Sequence, residues 1–226
     1  MKKLIIIVIV LILSSMSSYA TLITFDDKTE FLSQTGAVST ETLPNIGMVP
    51  PGNNTATLTV GDLTFSITED SREFFCGASP GHLLTDDWTP ELAGNEIAIS
   101  GPEHLNIELD SPVYSFGFEF FEMQYNNPNG VGIEFVDSTF EVFLFSNGSF
   151  IDSFTFNVPN DIAAFVGAWS DTCFDYIEIR EIVGGNGDEY YGQFYTGTNP
   201  VPEPATLLLL GTGLIGLAGA RRKMKK

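Results

Sequence analysis

Apolar residues at every second position constrain this chain more than any other feature. Leu63, Phe65 and Ile67 alternate with Thr64, Ser66 and Thr68, and Leu105, Ile107 and Leu109 alternate with Asn106 and Glu108. Phe116, Phe118 and Phe120 repeat the pattern with aromatic rings, as do Phe140, Val142 and Leu144, then Phe154 and Phe156, then Ile177 and Ile179. A period of two puts one side of each segment in a core and the other in water, so these segments are half-buried antiparallel strands. Turn signals separate them, among them Gly61-Asp62, Ser111-Pro112 and Pro159-Asn160. The strongest is Asn147-Gly148, which predicts a hairpin joining residues 139–146 to 149–157. One short N-terminal helix is expected where Asp27 can cap and Glu30 follows three residues later, ahead of Phe31 and Leu32. About ten short strands with regular turns predict an all-β fold, an antiparallel β-sandwich. A jelly-roll or lectin-like arrangement is preferred to an immunoglobulin-like one, because no Cys–Trp–Cys spacing of that kind occurs.

The two ends of the chain carry a different chemistry. Lys2 and Lys3 precede an apolar run from Leu4 to Leu13, short of the roughly 20 residues that a membrane span needs. Ser18-Tyr19-Ala20 follows as a small-residue cleavage site, so residues 1–20 read as a signal peptide cut between Ala20 and Thr21 by signal peptidase. An uncleaved membrane helix is the alternative. At the other end, Pro202 and Pro204 flank Glu203 in a segment that can join neither a helix interior nor a central strand. An apolar run from Ala205 to Ala220 comes next, then Arg221, Arg222, Lys223, Lys225 and Lys226, cations that favour the cytoplasmic side.

This tail resembles the PEP-CTERM sorting signal of bacterial surface proteins, whose motif Pro202-Glu203-Pro204 matches without a gap. The resemblance implies a single transmembrane helix over residues 205–220 and removal of that helix by exosortase, a membrane protease. A permanent anchor is the other reading, although the run is short for a stable span. The chain therefore divides into residues 1–20, an ectodomain over 21–200 and a sorting signal over 201–226. The implied route is export, an inner-membrane intermediate, then the cell surface or extracellular matrix of a Gram-negative-type bacterium. Residues 161–195 also resemble the closing strands of β-sandwich ectodomains common on such proteins, which are often compared with lectin-like or carbohydrate-binding modules.

Residues 21–200 hold three basic residues, Lys28, Arg72 and Arg180, against 28 acidic ones, a formal net charge of −25. That surface repels nucleic acid and anionic lipid, so no nucleic-acid partner is expected. Disorder does not follow from the charge, because the same segment holds the 19 phenylalanines.

Few constellations in the ectodomain carry chemistry. Gly77-Ala78-Ser79-Pro80-Gly81 fits the pattern of a hydrolase nucleophile elbow, but the residue after the serine is Pro80, which has no N–H for an oxyanion hole. Zinc-ligand spacing is absent. Calcium is the one metal considered: Asp26 and Asp27 follow the first strand, and Asn186, Asp188 and Glu189 precede the last, so hard oxygen ligands would share a structural ion if those strands are neighbours. Two unrelated acidic loops are the alternative. Cys76 and Cys173, an even pair in an exported segment, predict one disulfide, with two separate thiols as the other possibility. Trp88, beside Asp86 and Asp87 in a polar loop, is the candidate platform for stacking a sugar ring. The expectation is a structural or adhesive protein, not an enzyme, with weak binding of calcium or extracellular polysaccharide. An extracellular glycan-active hydrolase is the alternative, because acidic pairs are abundant.

Overall fold

The computed structural model describes residues 20–49, 56–68, 71, 73–78, 92–122, 137–160, 162–184 and 187–200. Within them lie twelve strands and one helix. They run in the order β1 (Leu22–Phe25), α1 (Lys28–Thr35), β2 (Val38–Ser39), β3 (Gly47–Met48), β4 (Thr57–Val60), β5 (Leu63–Ile67) and β6 (Glu73–Ala78). Then come β7 (Asn95–Gly101), β8 (Leu105–Glu122), β9 (Thr139–Ser146), β10 (Ser149–Phe156), β11 (Ala164–Val183) and β12 (Gly187–Gly197). Every pairing is antiparallel, and the main hydrogen-bonded path is β10-β9-β11-β8-β12-β7-β6-β3.

The two long strands decide the architecture. β8 and β11 pair along most of their lengths, but their register shifts twice between Trp169 and Tyr176. On one side of that irregularity Leu105–Leu109 pairs with β5, and Tyr176–Val183 pairs with β9, which carries β10. On the other side Ser115–Glu122 pairs with β12, which continues to β7 and β6. The sheet thus turns a corner, as strands do where a bulge lets them pass between layers. Its halves face one another across a core rich in phenylalanine, with ring centroids 5.3 Å apart for Phe120–Phe140 and Phe120–Phe156 and 4.8 Å for Phe65–Phe194. Burying each such ring contributes roughly 1.5–3 kcal/mol. The alternating residues face as their period requires: Leu63, Phe65, Leu105, Ile107, Phe118, Phe120, Phe140, Val142, Ile177 and Ile179 are all buried.

Local signals hold in detail at two places. Asn147 and Gly148 take φ of 49° and 75°, the positive pair that a type I′ hairpin turn needs, and they join β9 to β10. The Glu30 N–H donates to Asp27 Oδ1 at 2.7 Å, capping α1, and Gly36 ends the helix at φ 66° with its N–H donating to the Leu32 carbonyl at 3.0 Å. Phe31 of α1 lies over the cross-strand pair Gly117–Gly167, where an added Cβ would come within 3.2 Å of the Phe31 ring on one side and 3.0 Å on the other.

Three expectations need correction. Ser111 and Pro112 do not form a turn between two strands; they lie exposed within β8, where the ladder is already broken at the corner and no N–H is missed. The first strand is not a neighbour of the last: β1 pairs with β11, through Leu22–Ser170 to Phe25–Gly167, and β2 pairs with β12. Cys76 and Cys173 are free thiols, not a disulfide. Cys76 is sealed in the core on β6, its Sγ donating to the Pro44 carbonyl at 3.2 Å, whereas Cys173 sits half-buried on β11. Strands β8, β12 and β7 lie between β11 and β6 in the hydrogen-bonded path. Among the described residues no helix is long and apolar enough to cross a membrane. The expected span at 205–220 lies outside them, as does most of the expected signal peptide.

Candidate functional site

The outer face of the β10-β9-β11 layer carries an aromatic strip where the period of two calls for polar residues. Phe143 and Phe145 alternate with the buried Val142 and Leu144, so they point away from the core, and Phe150 and Tyr176 stand beside them on β10 and β11. The rings form a contiguous path, with centroids 6.4 Å apart for Phe143–Phe150, 5.9 Å for Phe145–Phe150 and 5.8 Å for Phe145–Tyr176. Phe150 is 57% exposed. Phe143, Phe145 and Tyr176 are half-buried beside it, and a partly exposed apolar patch rimmed by polar groups marks an interaction surface more often than a fold requirement.

The rim is acidic. In register with the strip lie Glu178 opposite Phe143, Glu108 opposite Tyr176, and Glu141 opposite Arg180. Arg180 is the cation there, and it is largely engaged: it pairs with Glu178 at 3.1 Å and donates to Asn106 Oδ1 and to the carbonyls of Leu105 and Ile179. The Asp175 carboxylate accepts the Asn147 N–H at 3.0 Å, and Glu141 accepts from the Ser153 hydroxyl at 2.8 Å. Burial, followed by the charge of Glu178, raises the Tyr176 hydroxyl above its ordinary value, with Arg180 opposing. The face therefore offers aromatic surface and acceptors.

A second group of acids lies inside the domain. Glu122 and Glu189 stand directly opposite one another on β8 and β12, and both are 2% exposed or less. Glu103, also buried, and Glu181 belong to the same group, which gathers around Ser138. The Ser138 N–H donates to Glu122 Oε1, and its hydroxyl lies 3.1 Å from Glu189 Oε1 and 3.4 Å from Glu181 Oε1. Burial first, then the charges of Asp137 and Glu181, pushes the Glu122 carboxyl up to about 7 against the Ser138 hydrogen bonds. Glu189 is pushed up to about 8 by burial and by Glu181 and Glu122, while bonds from Glu103 and Ser138 oppose this. Directly opposed like charges destabilise a sheet, so at neutral pH Glu189 keeps its proton and Glu122 is close to its midpoint. Glu122 and Glu189 are buried, whereas a glycosidase acid pair must reach a sugar.

The sequence-predicted site residues are dispersed. Asp26 and Asp27 are exposed and line a shallow cleft of about 380 Å³ with Lys28, Glu119 and Phe165, and Asp27 already serves as the helix cap. Lys28 pairs with Glu119 at 2.8 Å, and Glu119 also accepts from the Tyr195 hydroxyl at 2.7 Å. Glu189 is not part of that cleft; it is turned into the core. Asp188 follows Gly187 in β12 and pairs with Ser100 through its backbone. Among the described residues no group of three or more His, Cys, Asp or Glu is placed to hold a metal ion. Ala20 and Thr21 lie just before β1, with the Thr21 carbonyl accepting the Asp171 N–H at 3.2 Å. Asn186, Trp88, Pro202, Glu203, Pro204, Arg221 and Arg222 lie outside the described residues. The aromatic strip was missed, although Phe143 and Phe145 stand out of phase with Phe140, Val142 and Leu144 and mark it in the sequence.

Comparison with known proteins bears mainly on the tail. Residues 200–223 match the PEP-CTERM protein-sorting motif. The chain therefore carries the signal of an exosortase substrate, and that signal indicates export with a membrane-associated sorting step. No curated protein matches the chain. Among solved structures, a lysine-to-alanine mutant of the carbohydrate-binding module CBM29-2 is similar at 10% identity, covering 74% of this chain and 98% of that one, with a TM-score of 0.39. An aspartate-to-alanine mutant of the same module is similar at 11% identity over 76% and 94%, with a TM-score of 0.37. A carbohydrate-binding module of family 29 is similar at 13% identity over 76% and 97%, with a TM-score of 0.36.

Proposed function

We propose that this protein is a non-catalytic component of the cell surface or exopolysaccharide matrix, and that its jelly-roll-like ectodomain holds extracellular polysaccharide on the outer face of β9, β10 and β11. The observation that carries the reading is the continuous run of Phe143, Phe150, Phe145 and Tyr176 on a solvent-facing sheet. Rings grouped on one sheet face, tilted 56–72° to their neighbours, supply large, rigid apolar area at little entropic cost, and neighbouring carboxylates and Asn106 supply partners for hydroxyl groups. Delivery by the sorting motif would bring that face to a sugar-rich environment. The alternative of a glycan-active hydrolase is disfavoured because the carboxyls with raised pKa are enclosed in the core.

The test is binding of the exported protein to the matrix polysaccharide of its host, with reducing sugar measured in the same samples. Retention on the polysaccharide without sugar release is expected. Steady release of reducing ends, or no retention at all, would sink the reading.

A further inference from the structure

The charge around the aromatic strip restricts which polysaccharide fits. Glu108, Glu141, Glu178 and Asp175 surround the rings, whereas Arg180 is already held by Glu178, Asn106 and two backbone carbonyls. A ligand on this face must therefore bring donors and must not bring anions. The ectodomain's formal charge of −25 reinforces the restriction and also opposes a second copy of the same chain as the occupant. Uronic-acid or sulfated chains meet repulsion, and hydroxyl-only chains gain nothing from the carboxylates beyond hydrogen bonds. An ammonium group gains twice, because aromatic faces and carboxylates both attract cations.

We propose that the strip formed by Phe143, Phe145, Phe150 and Tyr176 binds an amino-sugar polysaccharide bearing free amines, its sugar faces on the rings and its ammonium groups against Glu108 and against Glu178, whose Oε2 also pairs with Arg180. This rests on the polysaccharide reading above and narrows it to one chemical class. Glu108 is exposed and stands opposite Tyr176, and Glu178 stands opposite Phe143, so a carboxylate lies beside each end of the ring path. The sugar faces supply contact that survives added salt, and the amines supply attraction that is screened by it.

The experiment is calorimetric titration of the exported protein with three probes of equal length: a glucosamine oligomer, its fully N-acetylated form and a galacturonate oligomer. Glucosamine binding is expected to be tightest, to weaken about tenfold or more in Phe150→Ala and in Tyr176→Ala, and to weaken in Glu108→Gln with Glu178→Gln. Phe150→Ala alters a mostly exposed side chain, so loss of fold does not confuse the result. Acetylated oligomer binding as tightly and losing affinity in the ring variants would overturn the amine requirement and leave the polysaccharide reading standing. Glucosamine binding that ignores the ring variants and vanishes at about 1 M salt would overturn the site, since diffuse charge attraction alone behaves that way. Failure of every probe to bind would overturn the amine proposal, and the polysaccharide reading falls with it only if the matrix polysaccharide is not retained either.

Discussion

The aromatic strip on β9, β10 and β11 and the carboxyl group between β8 and β12 break the alternation of this domain in opposite senses. Along β9 the odd positions that should be polar carry Phe143 and Phe145. Along β8 the inward position that follows Phe116, Phe118 and Phe120 carries Glu122. Apolar groups left in water cost little while the chain stays dispersed, because its negative charge keeps copies apart. Carboxyl groups taken out of water cost stability unless they keep their protons. The strip is thus available to a partner, whereas the acids are bound into the energetics of folding.

The largest expected contrast separates rings inside from rings outside. Phe120→Ala should lower unfolding free energy by about 3–5 kcal/mol, and Phe150→Ala should stay within about 1 kcal/mol, as measured by denaturant titration. Equal losses would make the strip part of the core and remove the distinction. The next test is pH. Glu122 and Glu189 hold raised pKa values in the folded state, so between their ordinary value near 4.5 and about 7 to 8 the native chain binds more protons than the unfolded one. Stability should therefore be greatest in mild acid and fall as pH rises through that window, by an amount on the order of 3 kcal/mol for Glu122 alone. Glu122→Gln should flatten the fall and raise the melting temperature at alkaline pH; unchanged slopes would show that the acids are already solvated.

Two smaller comparisons sharpen the same point. Ser138 and Ser153 each donate to a glutamate, but Ser138 is buried beside Glu189 and Ser153 is half-exposed beside Glu141. Ser138→Ala should cost about 1–3 kcal/mol near neutral pH, and Ser153→Ala less than about 1 kcal/mol. The smallest effect concerns the thiols. Burial, with help from Glu96, pushes the Cys76 thiol up to about 12, so it is inert as well as unpaired. Reductant should leave the melting temperature unchanged, and mass analysis under non-reducing conditions should find both cysteines free.

Much of the fold was legible because strand faces follow from parity alone. Leu63 to Ile67, Thr139 to Ser146 and Tyr176 to Arg180 point as their alternation requires, and Asn147-Gly148 sets the hairpin. The corner in β8 was not legible, since Ser111-Pro112 reads the same whether the chain reverses or merely bends. The cysteine pairing failed because counting thiols carries no knowledge of strand order. Both unusual regions were visible in principle. Glu122 shares the parity of Phe118 and Phe120, and Phe143 opposes that of Val142, but composition treats any glutamate as surface and any phenylalanine as core. The condition for the acidic loops to share one ion, that the first and last strands be neighbours, is not met, because β1 lies against β11 instead of β12.

The last strand has one more consequence. β12 is flanked by β8 along most of its length and, on its other side, by β7 at its start and the two-residue β2 at its end, so the segment leading to the sorting motif leaves from between two strands. A tug on that tail would not unzip an outer ribbon one bond at a time. It would have to slide a strand past its neighbours on both sides, straining both ladders together, and a domain pulled from this end would resist tension accordingly.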